Sequence, residues 1–242
     1  MEKIAIIGMG TMGSAIENVL KDDYEVTGIG RRDSLQQVEA ADTVILAVKP
    51  RQFKEEVAEE LWPYVHDQLF VSIMAGGKVR RLRQLLGTER IVRTMPNLAL
   101  ATGNSLTAWY AEDQNTDMQA VQRLLGKWGK TMRLEREKQF NAFTALAGSG
   151  PAYFFRVARV MVKKALGDGF TDEQARQIAT YTLWGTASVV SPETDYDERI
   201  MRVASKGGTT EAGGKVLDDG DFDGILRAAI DAAACRSEEL DS

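Results

Sequence analysis

Gly8-Met9-Gly10-Thr11-Met12-Gly13 sets three glycines at the spacing a pyrophosphate needs. The first permits a tight turn, the second lets the anion approach the backbone, and the third lets a helix pack closely on the preceding strand. An apolar run, Lys3 to Gly8, precedes the segment and a helical pattern over 12–21 follows it, so the amides at the helix start would face the anion. The context predicts a dinucleotide site formed by Gly8, Met9, Gly10, Thr11, Met12 and Gly13; glycines that merely end a strand are the alternative. The second strand runs out into Gly30-Arg31-Arg32. An NAD site usually carries an acidic side chain there, whereas two guanidiniums suit a 2'-phosphate, which they grip through charge-assisted, multidentate hydrogen bonds. Arg31 and Arg32 therefore point to NADPH, with NADH as a weaker substitute; Asp33 on the ribose is the competing reading.

Ala47-Val48-Lys49-Pro50 ends a third, very apolar strand at the sheet edge where open α/β folds bind ligands. Lys49 there either meets cofactor or substrate charge or solvates a loop held by Pro50. Ser72 to Gly77 and Arg93 to Asn97 end the next two strands, so three successive strands finish in short glycine- or proline-bearing segments, as the lining of a nicotinamide pocket would. Much later, Ser205 to Gly213 offers consecutive backbone amides and two threonine hydroxyls between helices, a chemistry suited to a small carboxylate. A flexible loop is the plain alternative.

Other reactive types are sparse. His66, the only histidine, lies in an apparent surface connection and is taken as structural or solvated, so no histidine acid/base is expected. Cys235 stands alone, cannot form an internal disulfide, and is expected to be a buried thiol. No Cys/His cluster predicts a metal site. Lys163 and Lys164, adjacent on a helical segment, look like a solvated face rather than a hydroxyacid dehydrogenase base.

The elements that must position these residues alternate. Strands are expected at Lys3 to Gly8, Tyr24 to Ile29, Thr43 to Val48, Leu69 to Met74 and Arg90 to Met95, with helices at 12–21, 35–41, 51–61 and 79–86 between them. Alternation of this kind implies a parallel, doubly wound sheet. Runs at 105–110 and 131–134 flank a helix at 116–127 and extend the sheet at one edge. After residue 136 strand signals vanish, and helices are expected at 137–146, 151–167, 172–190, 196–205 and 221–239, with Pro151 in the first turn of the second. The expected domains are 1–146, dinucleotide-binding, and 147–242, helical. Hydrophobic residues at 44%, charged residues at 27% and a net charge of -5 describe an ordinary globular protein without the positive excess of a nucleic-acid binder. The apolar run at the start is too short for a signal peptide or a membrane span, so a cytoplasmic protein with no membrane partner is expected.

Taken together, G-x-G-x-x-G, A-V-K-P (47–50), M-P-N (95–97), G-S-G-P-A-Y (148–153) and G-G-T-T-x-A-G (207–213) resemble pyrroline-5-carboxylate reductase over essentially the whole chain. The resemblance implies a Rossmann-type doubly wound α/β domain followed by an all-α dimerisation domain that interlocks with a second subunit, giving a homodimer or higher homo-oligomer. It implies a small cyclic imine carboxylate as substrate and NADPH-dependent reduction of 1-pyrroline-5-carboxylate to L-proline, the last step of proline biosynthesis. Carried over by motif, Gly207, Gly208 and Thr209 would present amides to the substrate carboxylate with Ser205 nearby, and Thr210 would hydrogen-bond the ring nitrogen. Ala47, Val48, Lys49, Pro50, Ala75, Gly76 and Asn97 would lie along the cofactor. The imine nitrogen arrives protonated, so positioning replaces a strong general acid. The chain departs from the family pattern at Lys206, commonly proline, at Leu98-Ala99, commonly Thr-Pro, and in its short segment between the second and third strands.

Overall fold

The computed structural model describes residues 1–53, 57–112 and 117–241. They form two compact units: Met1–Ser149 with Ala232–Ser242, and Gly150–Asp231. Each is taken in turn.

The first unit begins with β1 (Lys3–Ile7), α1 (Thr11–Leu20) and β2 (Glu25–Ile29), then a 3-10 stretch at Leu35–Ala40 and β3 (Thr43–Leu46). Short turns α2 (Pro50–Gln52) and α3 (Ala58–Leu61), β4 (Leu69–Ser72), α4 (Val79–Leu86) and β5 (Ile91–Met95) follow. Residues 54–56 of the helix expected over 51–61 lie outside the described residues, as does residue 116 of the one expected over 116–127. β6 (Ser105–Tyr110), α5 (Met118–Gly126), β7 (Gly129–Arg133) and α6 (Gln139–Phe143) complete the run, and α6 continues into a π-helical stretch at Thr144–Gly148.

The seven strands form one sheet in the order β2-β1-β3-β4-β5-β6-β7. Strands β1 to β5 are mutually parallel. Apolar runs such as KIAII and TVIL are buried on both sides, which is what a parallel sheet covered on both faces requires. Ile4, Ile6, Ile45 and Val71 pack towards α1 and α5, while Ala5, Ile7, Leu46 and Phe70 pack towards α3 and α4. Alternation of neighbours to opposite cores is the period-two rule of a strand.

Strand β6 breaks the parallel pattern by running antiparallel to β5. Residues 96–104, with a 3-10 stretch at Leu98–Thr102 and the left-handed Gly103 (φ 68), are all that separate them, whereas a parallel return needs a crossover of about a dozen residues or more. β7 then pairs parallel to β6 after the crossover through α5.

The second unit is helical: α7 (Gly150–Gly167), α8 (Asp172–Ser188), α9 (Tyr196–Val203), α10 (Thr209–Asp219) and the first half of α11 (Phe222–Asp241). Pro151 stands in the first turn of α7, where its missing N–H has no helical acceptor to lose. Thr171 starts α8 with a reciprocal cap: its hydroxyl accepts from the Gln174 amide at 3.2 Å and the Gln174 side chain accepts from the Thr171 amide at 3.0 Å. Helix α10 is absent from the sequence expectation, which placed a loop there. Thr209, Thr210, Gly213 and Gly214 have low intrinsic helix propensity and masked it.

Few large side chains of this unit are covered within one chain. Ala165, Ala175 and Ala179 are buried, while Phe154, Val160, Trp184, Ile200 and Val216 are exposed. Apolar exposure on that scale marks a surface that meets another protein. Cys235 corrects a second expectation: it is exposed, on a face of α11 that nothing in the single chain covers. His66 and the Lys163-Lys164 pair are exposed, in keeping with a solvated reading. Among the described residues, no helix is long and apolar enough to cross a membrane, and no group of three His, Cys, Asp or Glu side chains is placed to hold a metal.

Candidate functional site

Strand β1 has β2 on one side and β3 on the other, so the chain leaves it at the point where strand order reverses. Connections diverge there and open a crevice beyond the carboxyl ends of the strands, the ligand position of open α/β sheets. A cleft of about 630 Å³ lies at this point, walled by Gly8 to Met12, Gly30, Arg31, Asp33 and Ala47 to Lys49. Sequence reasoning named most of this wall. It missed Ile7 and Ile29 at the strand ends, and Leu35, Gln52, Val57 and Glu60, which join the wall from helical segments that carry no motif.

Close approach explains the glycines. Gly8 has φ +103, and a Cβ there would come within 2.8 Å of the Ala47 carbonyl group. A Cβ on Gly13 would run into the Gly8 carbonyl oxygen. Gly10 is different, since nothing lies within 4 Å of its Cβ position. The space above Gly10 is thus open, while the glycines on either side hold strand and helix together. Gly10 is also the N-cap of α1 and brings no side-chain hydrogen bond, so the first amides of that helix keep no protein cap.

Arg31 is on the cleft wall, whereas Arg32 and Pro50 are not among its lining residues. Pro50 opens α2, with Lys49 as its N-cap. Asp33 turns inwards: its Oδ2 accepts from the Gly30 amide at 2.8 Å and closes the turn after β2. The carboxylate that competes with the arginines for this position is therefore engaged with backbone.

Ala75, Gly76 and Asn97 follow β4 and β5 at the same edge of the sheet but do not wall the cleft. Gly76 has φ +88, and a Cβ there would overlap the backbone of Leu240. Asn97 is a clasp. Its Oδ1 accepts from the Ala99 amide at 3.0 Å, its backbone N–H donates to Ser105 Oγ at 3.1 Å, and its Nδ2 donates to the Ala147 carbonyl at 3.1 Å. The M-P-N turn is thereby tied to the π-helical stretch, a local irregularity often found at functional sites.

In the helical unit, Ser205 to Gly208 form a tight turn into α10. The Gly208 amide donates to the Ser205 carbonyl at 2.8 Å, and the Gly207 amide donates to Glu211 Oε2 at 2.6 Å. Gly207 sits at φ +70, and a Cβ on Gly208 would approach Ser205 Oγ to 2.5 Å. Gly208 is the N-cap and contributes no side-chain bond. The first amide bonded within the helix is that of Ala212, to Gly208. Both glycine amides are occupied, so the N–H groups without a helical acceptor are those of the first turn, beginning with Thr209 and Thr210.

Comparison with known proteins agrees with this arrangement. Residues 137–240 match the family model of pyrroline-5-carboxylate reductase dimerisation, and residues 3–97 match that of the NAD binding domain of 6-phosphogluconate dehydrogenase. The chain is similar to pyrroline-5-carboxylate reductase 2 of Bacillus subtilis, at 30% identity over 99% of this chain and 95% of the relative. It is also similar to pyrroline-5-carboxylate reductase of Aquifex aeolicus, at 32% over 98% and 97%. Among solved structures, 1-pyrroline-5-carboxylate reductase of Streptococcus pyogenes superposes with a TM-score of 0.87 at 30% identity, covering 98% of each chain. Pyrroline carboxylate reductase of Plasmodium falciparum, solved with NADP bound, gives 0.89 at 22% identity over 100% of this chain and 98% of that one, a likeness of fold. The likeness to these reductases runs along essentially the whole length, and the chain belongs to the pyrroline-5-carboxylate reductase family of oxidoreductases.

Proposed function

We propose that the protein reduces 1-pyrroline-5-carboxylate to L-proline with NADPH, the closing step of proline formation, as a homodimer or larger homo-oligomer. The observation that carries the cofactor half is the wall of the cleft, where Arg31 is present and the neighbouring carboxylate, Asp33, is committed to the Gly30 amide. The residues fit a dinucleotide. Gly10 leaves room for a pyrophosphate over uncapped helix amides, and Arg31 stands at the end of β2, where the 2'-phosphate of the adenosine ribose would lie. Apolar Leu35 and Val57 would flank the adenine. A dinucleotide anchored at β2 crosses the glycine loop towards β3, β4 and β5, which assigns Ala47 to Lys49, Ala75, Gly76 and Asn97 to its nicotinamide side.

NADPH, when bound, supplies a hydride to the imine carbon. The protein's part is orientation and charge. The first-turn amides of α10, Thr209 and Thr210 foremost, bind the substrate carboxylate, aided by the helix dipole and by Ser205. Gly207 and Gly208 shape the turn that presents them. The Thr210 hydroxyl hydrogen-bonds the ring nitrogen and holds the C=N bond in one orientation, which suffices because the nitrogen is basic enough to carry its own proton. The exposed histidine has no role in this scheme.

Spectrophotometric oxidation of NADPH by the imine, with L-proline identified as product, tests the reaction. Thr210→Ala is expected to lower kcat while leaving the Kd for NADPH unchanged. Full turnover in that variant removes Thr210 from the mechanism, and no turnover in the wild-type protein that nonetheless binds NADPH overturns the enzyme reading.

A further inference from the structure

Arg93, on β5, has no exposed side-chain surface and is held by residues distant in sequence, at α6 and at the end of α11. Its Nη2 donates to Asp241 Oδ1 at 2.7 Å and its Nη1 to Asp241 Oδ2 at 3.2 Å, a two-pronged bond to the last residue of α11. Nη1 also donates to Glu137 Oε1 at 3.2 Å, and the guanidinium carbon lies 4.5 Å from the centre of the Phe140 ring. Asp241 is itself 3% exposed and Glu137 18%. A buried guanidinium needs such partners, because an unpaired charge in the interior carries a large desolvation penalty.

Both carboxylates act beyond the ion cluster. Glu137 Oε1 also accepts from the Val79 amide at 2.8 Å, supplying the cap that Lys78 does not give α4. Next to Asp241, the backbone of Leu240 covers Gly76, whose φ of +88 and missing Cβ are what permit the contact. The connection from β4 to α4 is thus held at Gly76 by the end of α11 and at Val79 by Glu137, and Arg93 binds both holders. Ser237, one turn earlier in α11, adds a hydrogen bond to Asn141 Oδ1 at 3.0 Å. The connection so fixed contains Ala75 and Gly76, at the carboxyl edge of the sheet.

We propose that Asp241 is a positioning residue for the cofactor: by holding Arg93 it seats the end of α11 on Gly76 and fixes the Ala75–Gly77 segment that the nicotinamide half lies against. The inference rests on the cofactor reading given above. The end of α11 is then a latch, within the first unit, on the ligand edge of the sheet, and cofactor binding and latch closure are thermodynamically linked.

Hydrogen–deuterium exchange on the intact wild-type protein, with and without saturating NADPH, tests the linkage. Slower exchange at residues 237–241 and 73–79, together with 8–14, is the expected result. Protection at 8–14 without change at 237–241 overturns the latch, and protection at neither overturns the cofactor reading together with the latch. In variants, Asp241→Asn should raise the Kd for NADPH by about two- to thirtyfold, the range for coupling through a contiguous packed network, with the KM for the imine unchanged. Asp241→Glu, which keeps the charge, should recover much of the loss. An unchanged Kd in folded Asp241→Asn refutes the proposal, and if that variant does not fold the wild-type exchange experiment decides.

Discussion

Replacing Arg31 by alanine tests the cofactor assignment most directly, because the structure separates two adjacent arginines that the sequence could not. Arg31 is on the cleft wall and Arg32 is not. Asp33, the other charged residue of the turn, is bound to the Gly30 amide at 2.8 Å and is poorly placed to take a ribose hydroxyl as well. A charge-assisted hydrogen bond contributes about 1.5–3 kcal/mol. Arg31 is exposed, so solvent and salt screen its charge and the lower figure applies, about 1.5 kcal/mol or about tenfold in affinity. NADH lacks the 2'-phosphate and has nothing to lose at this position. Arg31→Ala is therefore expected to reduce kcat/KM for NADPH about tenfold and for NADH little, with Arg32→Ala having the smaller effect. Initial rates at saturating imine, with each cofactor varied in turn at two ionic strengths, measure the ratio; the NADPH dependence on salt should flatten in Arg31→Ala. An equal loss with both cofactors would mean that Arg31 supports the turn rather than the phosphate, and a larger effect from Arg32→Ala would place the anion outside the cleft described here.

The glycines of the G-x-G-x-x-G loop divide into two kinds. Gly13→Ala drives a Cβ into the Gly8 carbonyl and should introduce about 1–3 kcal/mol of strain, seen as a lower Tm along with weaker NADPH binding. Gly10→Ala meets open space and should leave Tm unchanged while still weakening NADPH; normal NADPH affinity in that variant would show that no phosphate approaches Gly10. At the other anion site, Glu211→Gln keeps an acceptor for the Gly207 amide but removes a negative charge from the turn proposed to bind the substrate carboxylate. The KM for the imine should fall, by an amount on the scale of one charge at a helix terminus, about 0.3–1 kcal/mol, and a rise in KM would count against carboxylate binding there.

What the sequence revealed and what it hid follow from range. The strand, turn and helix around G-x-G-x-x-G were legible because they lie within a score or so of residues, and Gly8 and Gly13 each answer to a local contact. The parallel strands were legible because apolar runs such as TVIL are buried on both faces and show no polar alternation. Antiparallel β6 was not, because its direction depends on the shortness of the 3-10 stretch before it. Helix α10 was hidden by two mid-helix glycines and two threonines, residues that weaken a helix taken alone and are overruled by its surroundings. Cys235 looked buried by residue type and is exposed, since α11 leaves that face uncovered in a single chain. The Arg93–Asp241 pair spans 148 positions and carries no motif, so only the folded chain brings it into view.

The treatment of helix starts links the two proposed anion sites. Helices α5, α8 and α9 begin with side-chain caps from Asp117, Thr171 and Asp195, and α4 borrows its cap from Glu137. Helices α1 and α10 instead begin at glycines, Gly10 and Gly208, in nearly the same extended conformation (φ -86, ψ -165 and φ -85, ψ 170) and without a side-chain bond. Glycine in place of a capping side chain costs only a few tenths of a kcal/mol, and it leaves the first-turn amides unclaimed. An Asp, Ser or Thr there would stabilise the helix and occupy the donors that a phosphate or a carboxylate needs. Two helices that begin at glycines in this way, one at the reversal point of the sheet and one at the G-G-T-T turn, offer the donors that the proposed reduction of an anionic imine by an anionic cofactor requires.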